Sequence, residues 1–215
     1  MLSTKVKASS VTNLTDARYF AAWETEWLGF NFNTGSEHYI QPNTMKAIKE
    51  WVDGVKIVGE FDLQPAEEIL AAADMLELEA VQVGTFAESA TLQQLHAQEV
   101  PVIKEMVVQS LDELGPMAQQ MEAQHSWVEA FLLDFYKNNI GWAELKAGGL
   151  SEFRLLAEQY PILISMDFSP EELLELLDEL PVKGISVRGG AEEKVGYKSF
   201  DELDELFEAI EVLED

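Results

Sequence analysis

Eight times along 215 residues, a short apolar run rich in β-branched residues gives way to a longer amphipathic segment. The runs are Val6 to Ser9, Trp27 to Phe32, Lys56 to Phe61, Ala80 to Val83, Val100 to Val107, Ala130 to Asp134, Ile162 to Ser165 and Gly184 to Val187. Helix starts fall near Asp16, Asn43, Pro65, Ala87, Asp112, Leu150, Ser169 and Ser199. Ser169-Pro170-Glu171-Glu172 is the sharpest of them, because Ser can cap, Pro suits the first helical position and the two acids favour the positive end of the helix dipole. Eight βα units in this length, without a glycine-rich fingerprint after the first strand, favour a single (βα)8 TIM barrel over an open doubly wound sheet. The barrel is expected to occupy residues 1–215 as one domain, closed by an acidic last helix that carries Leu203, Leu206, Phe207 and Ile210 at helical spacing.

Composition narrows the partners. Lys and Arg total 14 against 40 Asp and Glu, a formal charge of −26 that repels nucleic acid and anionic membranes over most of the surface. The absence of cysteine removes disulfides, thiolate nucleophiles and sulfur-based zinc sites. The amino terminus lacks an apolar signal core, and no run approaches the length that spans a bilayer, so the expectation is a cytoplasmic protein.

In a barrel of this kind the chemistry lies at the carboxyl ends of the strands. Asp134 ends the run Phe131-Leu132-Leu133 and should project near the mouth, as a catalytic or ligand-binding carboxyl or as a helix cap or ion-pair partner. Ser9, on the same strand face as Lys7, is a poor base without a histidine to activate it. Lys7 and Lys104 lie inside strands and should each find a carboxylate or reach the wet mouth. The three histidines lack metal-ligand spacing, and only His38, after the second strand, is a site candidate. Val187-Arg188-Gly189-Gly190-Ala191 follows the eighth strand, where backbone N–H groups of a glycine turn can converge on phosphate oxygens and Arg188 adds a cation. An ordinary glycine turn is the competing reading.

The segment Val6-Lys7-Ala8-Ser9-Ser10-Val11-Thr12-Asn13, followed by Asp16-Ala17, resembles the opening of phosphoribosylanthranilate isomerases, V-K-I-C-G-I-T-N and then D-A. Resembling segments continue in family order through Leu28-Gly29-Phe30-Asn31-Phe32, Val58-Gly59-Glu60-Phe61, Ala80-Val81-Gln82, Val102-Ile103-Lys104, Leu132-Leu133-Asp134, Gly189-Gly190-Ala191-Glu192 and Val195-Gly196-Tyr197-Lys198. The resemblance implies an Amadori rearrangement of a phosphoribosylated anthranilate in tryptophan biosynthesis, with no cofactor, a cysteine base and an aspartate acid. It places Asp134 at the acid and Ser9 at the base, with Ser10 in place of the adjoining glycine. It further implies substrate contacts from Lys7, His38 and Gln82, and a phosphate site at Arg188, Gly189, Gly190 and Ala191.

The departures bear on activity. Ser9 stands where the cysteine is expected, His38 where an arginine is expected, and Ser165-Met166-Asp167 where A-G-G is expected. Three readings follow: an isomerase acting on a small phosphorylated sugar-like ligand, a noncatalytic paralogue that binds such a ligand or a protein partner, and a different isomerase or lyase using Glu60 or His38 as base.

Overall fold

The computed structural model describes residues 1–189, 192–194 and 197–212. Eight parallel strands close into a barrel: β1 (Lys5–Ser9), β2 (Trp27–Asn31), β3 (Lys56–Glu60), β4 (Ala80–Val83), β5 (Val102–Val107), β6 (Ala130–Asp134), β7 (Ile162–Ser165) and β8 (Gly184–Arg188). Closure is made by β8 on β1, in a register running from Lys5 opposite Gly184 to Ser9 opposite Arg188.

Helices α1 (Leu14–Ala22), α2 (Pro42–Lys49), α3 (Ala66–Leu76), α4 (Ser89–Ala97) and α5 (Leu114–Gln124) follow the first five strands in turn. Two helices, α6 (Trp142–Gly148) and α7 (Leu150–Gln159), follow β6. The first of these, and a small antiparallel pair β9 (Glu192–Lys194) and β10 (Tyr197–Lys198), are absent from the sequence expectation. Gly148 ends α6 and Gly149 joins it to α7, where a plain loop is expected. Trp142 and Leu145 of α6 are buried, so tertiary packing holds a helix too short to stand on propensity. Helix α8 (Pro170–Glu179) starts as expected, with a capping box in which Ser169 Oγ accepts from Glu172 N and Glu172 accepts from Ser169 N.

The last helix, α9 (Asp201–Ala209), docks on α1. Tyr19 stacks on Phe200 at 4.0 Å, Tyr19 Oη donates to Asp204 Oδ1 at 2.7 Å, and Phe20 meets Phe207 edge-on. It is a closing helix, as its apolar spacing predicts. Among the described residues no helix is long and apolar enough to cross a membrane.

Period two divides each strand between two environments. Outward residues such as Ala8, Leu28, Phe30 and Phe131 pack under the helices with Phe20, Met45 and Phe153. Inward residues begin as an apolar plug of Trp27, Val58, Ala80, Ile103, Ala130, Leu132 and Leu163. Lys5, Lys56 and Lys183 lie 5.4, 6.0 and 5.8 Å from the centroid of the Trp27 ring. Above the plug, toward the carboxyl ends, the inward positions turn polar.

Candidate active site

A cavity of about 630 Å³ opens at the carboxyl ends of the strands. Ser9 from β1, Glu60 from β3, Gln82 from β4, Glu105 from β5, Asp134 from β6, Ser165 from β7, and Ser186 and Arg188 from β8 line it. The loop after β2 adds Asn33, Ser36, Glu37 and His38. Strand ends from Ser9 to Arg188, spread along most of the sequence, therefore meet, as a closed barrel requires.

Its floor is a buried ion pair. Lys7 Nζ donates to Glu60 Oε1 at 2.5 Å, with Lys7 fully buried. Burial opposes the ionised form of Glu60, but Lys7 and the hydroxyl and amide of Ser10 hold its carboxyl below the ordinary glutamate range. Ser10 N lies 3.1 Å from each carboxylate oxygen, and Ser10 Oγ donates to Oε2 at 2.9 Å. Ser10 does this from a left-handed backbone (φ 54°), a conformation that favours the glycine expected there; its hydroxyl bond offsets the strain. Lys7 finds the carboxylate expected of it, but lies beneath the cavity wall instead of in it. Glu60 is similarly engaged on both oxygens, as an anchor for the turn after β1.

Ser9 Oγ accepts from Lys7 Nζ at 2.7 Å and shares a second 2.7 Å bond with Ser186 Oγ. Its proton can pass only to another neutral hydroxyl, since the ion-paired Lys7 is a donor. Ser9 reaches the cavity, yet its partners give it no means of acting as a strong base.

A charged cluster lies across the mouth. Lys137 Nζ bonds to Glu105 Oε1 and stands 3.3 Å from Asp134 Oδ2, while Lys137 N donates to Asp134 Oδ1 at 3.0 Å. Arg188 reaches to 3.8 Å from Asp134 Oδ2, with its guanidinium 4.6 Å from the Tyr136 ring centroid. Burial pushes the Glu105 carboxyl above its ordinary range, against the pull of Lys137. Lys137 itself is held above its ordinary range by Glu105 and Asp134, although burial works the other way. Gln82 is 6% exposed, and its Oε1 has no hydrogen-bond partner among the described residues while its side chain borders the cavity.

His38 occupies the cavity wall after β2, with its ring 3.5 Å from Glu37. Gly189 directs its α-carbon at the Asp16 carboxylate, so that an added Cβ would lie 2.7 Å from Oδ2. Gly190 and Ala191 lie outside the described residues. Asp167 is exposed and is not part of the cavity wall.

Lys104 corrects the expectation of a carboxylate partner or an open mouth. It points outward from β5 and donates to three main-chain carbonyls, Gly84 at 2.5 Å, Thr85 at 2.9 Å and Ala87 at 3.2 Å. Burial brings its amine down to about 8. Glu105, Lys137 and Ser186 are site residues that strand-end reading passes over. Among the described residues no three His, Asp or Glu side chains are grouped to hold a metal ion.

Residues 6–209 match the family described as N-(5'phosphoribosyl)anthranilate (PRA) isomerase. The chain is 26% identical over 212 residues to the N-(5'-phosphoribosyl)anthranilate isomerase of Gloeothece citriformis, covering 96% of this chain and 93% of the relative. Its fold is similar to the phosphoribosyl anthranilate isomerase structures of Thermus thermophilus (TM-score 0.75, 26% identity) and Thermotoga maritima (TM-score 0.77, 23% identity), each alignment covering 96% of this chain and 98% of the other.

Proposed function

The chain belongs to the N-(5'-phosphoribosyl)anthranilate isomerase family, and on that premise we propose that it catalyses the family's Amadori-type isomerisation of a phosphoribosyl aryl amine, as a cytoplasmic enzyme of tryptophan biosynthesis. The observation that carries this reading is the convergence of Asp134, Gln82, Ser9 and Arg188, from four separate strands, on one cavity at the catalytic end of the barrel.

In this reading Asp134 gives a proton to the ribose ring oxygen as the C1–O bond breaks, which opens the ring to an iminium. Gln82 accepts from a substrate hydroxyl, filling the acceptor that has no partner among the described residues. Arg188, with the following segment Gly189-Gly190-Ala191, takes the phosphate, and the aryl end lies toward His38. The match to the isomerase family along nearly the whole chain favours an isomerase over a noncatalytic paralogue.

Purified protein should consume phosphoribosylanthranilate, seen as loss of substrate fluorescence, and Asp134→Asn should slow that loss by roughly 100-fold or more. Equal rates for the two proteins would remove Asp134 from the chemistry. A wild-type rate no faster than the uncatalysed background would contradict the isomerase reading itself.

A further inference from the structure

We propose that Glu105 is the general base of the isomerisation, taking the proton from C2 of the opened sugar that Ser9 is not placed to take. The inference rests on the isomerase reading above and deepens it.

Ser9 is held between Lys7 and Ser186, neither of which can drain its proton to a stronger base. The base must then come from another group on the cavity wall. Glu60 has both oxygens committed to Lys7 and Ser10. Glu37 and His38 belong to the loop after β2, with side chains 86% and 40% exposed, and Asp62 lies in the loop after β3, so no barrel strand holds any of the three in place. Asp134 is needed at the ring oxygen. Glu105 remains: it is fixed on a strand, its side chain is 14% exposed, and Lys137 binds one oxygen while no hydrogen bond engages the other among the described residues. The register sets Val107 of β5 opposite Asp134 of β6, and the inward side chains of Glu105 and Asp134 share Lys137 between them. Gln82, on the other neighbouring strand, lines the same cavity, and its buried Oε1 has no hydrogen-bond partner among the described residues. A substrate held there has a proton donor, a proton acceptor and a hydroxyl-binding group on three consecutive strands.

The step balances without a co-reactant. Glu105 carboxylate accepts the C2 proton, the C2–H pair becomes the C1–C2 double bond, and the iminium pair returns to nitrogen. The resulting enol gains a proton at C1 from protonated Glu105 and gives up its hydroxyl proton, which through solvent restores the proton Asp134 lost in ring opening, leaving the ketone with no net oxidation or reduction. A carboxyl raised by burial is also a stronger base once ionised, and nearer the working pH, than an exposed one. The charged groups facing it are Lys137, Asp134 and Glu60, with Lys104 beside it in sequence on the opposite strand face.

The test is steady-state kinetics of wild type, Glu105→Gln and Glu105→Asp on phosphoribosylanthranilate across pH, with thermal melts to verify folding. Glu105→Gln should lose about 100-fold or more in kcat with KM changed little, and Glu105→Asp, which keeps the charge, should recover part of the loss. The acidic limb of the wild-type kcat/KM profile should lie above the ordinary glutamate range and vanish in Glu105→Gln. An active wild type whose Glu105→Gln variant keeps both its kcat and the acidic limb would overturn the assignment while sparing the isomerase reading. If Glu105→Gln does not fold, an acidic limb in the ordinary glutamate range, or a full wild-type kcat in Glu105→Asp, would overturn it. An inactive wild type would sink both.

Discussion

Gly29 and Glu60 compete for one space: a Cβ built on Gly29 would lie 2.0 Å from Glu60 Oε1 and 2.7 Å from Lys7 Nζ. The bare backbone of β2 is what lets a buried ion pair sit across the barrel from β1 to β3. The pair in turn anchors Ser10 and holds Ser9, so a missing methyl group on one strand sets the geometry of the site above it.

Gly29→Ala should therefore break the pair or push it aside. Disrupting one partner of a buried pair costs about 3–5 kcal/mol. Urea denaturation should show a loss of that order and a reduced kcat. A loss under about 1 kcal/mol, within the range of ordinary surface changes, would mean the barrel yields there without cost.

Ser10 provides a test of compensation. Ser10→Ala keeps the left-handed strain and loses the hydroxyl bond to Glu60, which at about 1.5–3 kcal/mol for a charged acceptor should appear directly in thermal denaturation. Ser10→Gly loses the same bond but relieves the backbone, so it should be clearly less destabilised than Ser10→Ala. The reverse order would show that φ is not the source of strain.

Much of this is legible in the sequence. Period two places Ser9 with Lys7, strand-end logic brings Asp134 and Arg188 to one mouth because their strands carry them there in any closed barrel, and the family resemblance adds Gln82. Glu105 escaped notice because it follows Lys104: two adjacent charges in one strand point opposite ways, and which one faces inward is decided only by register with β6. The environment of Lys104 is hidden from the sequence for a related reason. Its partners are main-chain carbonyls, which leave no mark in the sequence. Lys137 is positioned by a turn after β6 whose geometry no motif announces.

Two buried groups make stability rise with pH, each in its own window. Glu60 is depressed in the folded state, so its contribution is complete above the unfolded glutamate value, about 4.3, and is lost as pH falls through the lower folded value. Lys104, at about 8 when folded and about 10.4 when unfolded, binds fewer protons in the fold, so stability should rise with pH across that window. Denaturation midpoints measured from pH 7 to 10.5 should show this rise in wild type and lose it in Lys104→Met. The same rise in both proteins would assign it elsewhere.

Arg188 should matter to binding more than to chemistry. Arg188→Ala removes the cation stacked on Tyr136, and losing a charge-assisted contact worth about 1.5–3 kcal/mol should raise KM roughly 10-fold or more, with a smaller change in kcat. An unchanged KM for the phosphorylated substrate would move the phosphate site away from β8.

The most direct test of the account is to incubate wild-type protein with phosphoribosylanthranilate in D2O and follow both compounds by NMR. The account predicts conversion to the 1-deoxyribulose isomer, with solvent deuterium entering at C1 through a cavity carboxyl that exchanges its proton. Substrate that remains unchanged beyond the protein-free control would contradict it.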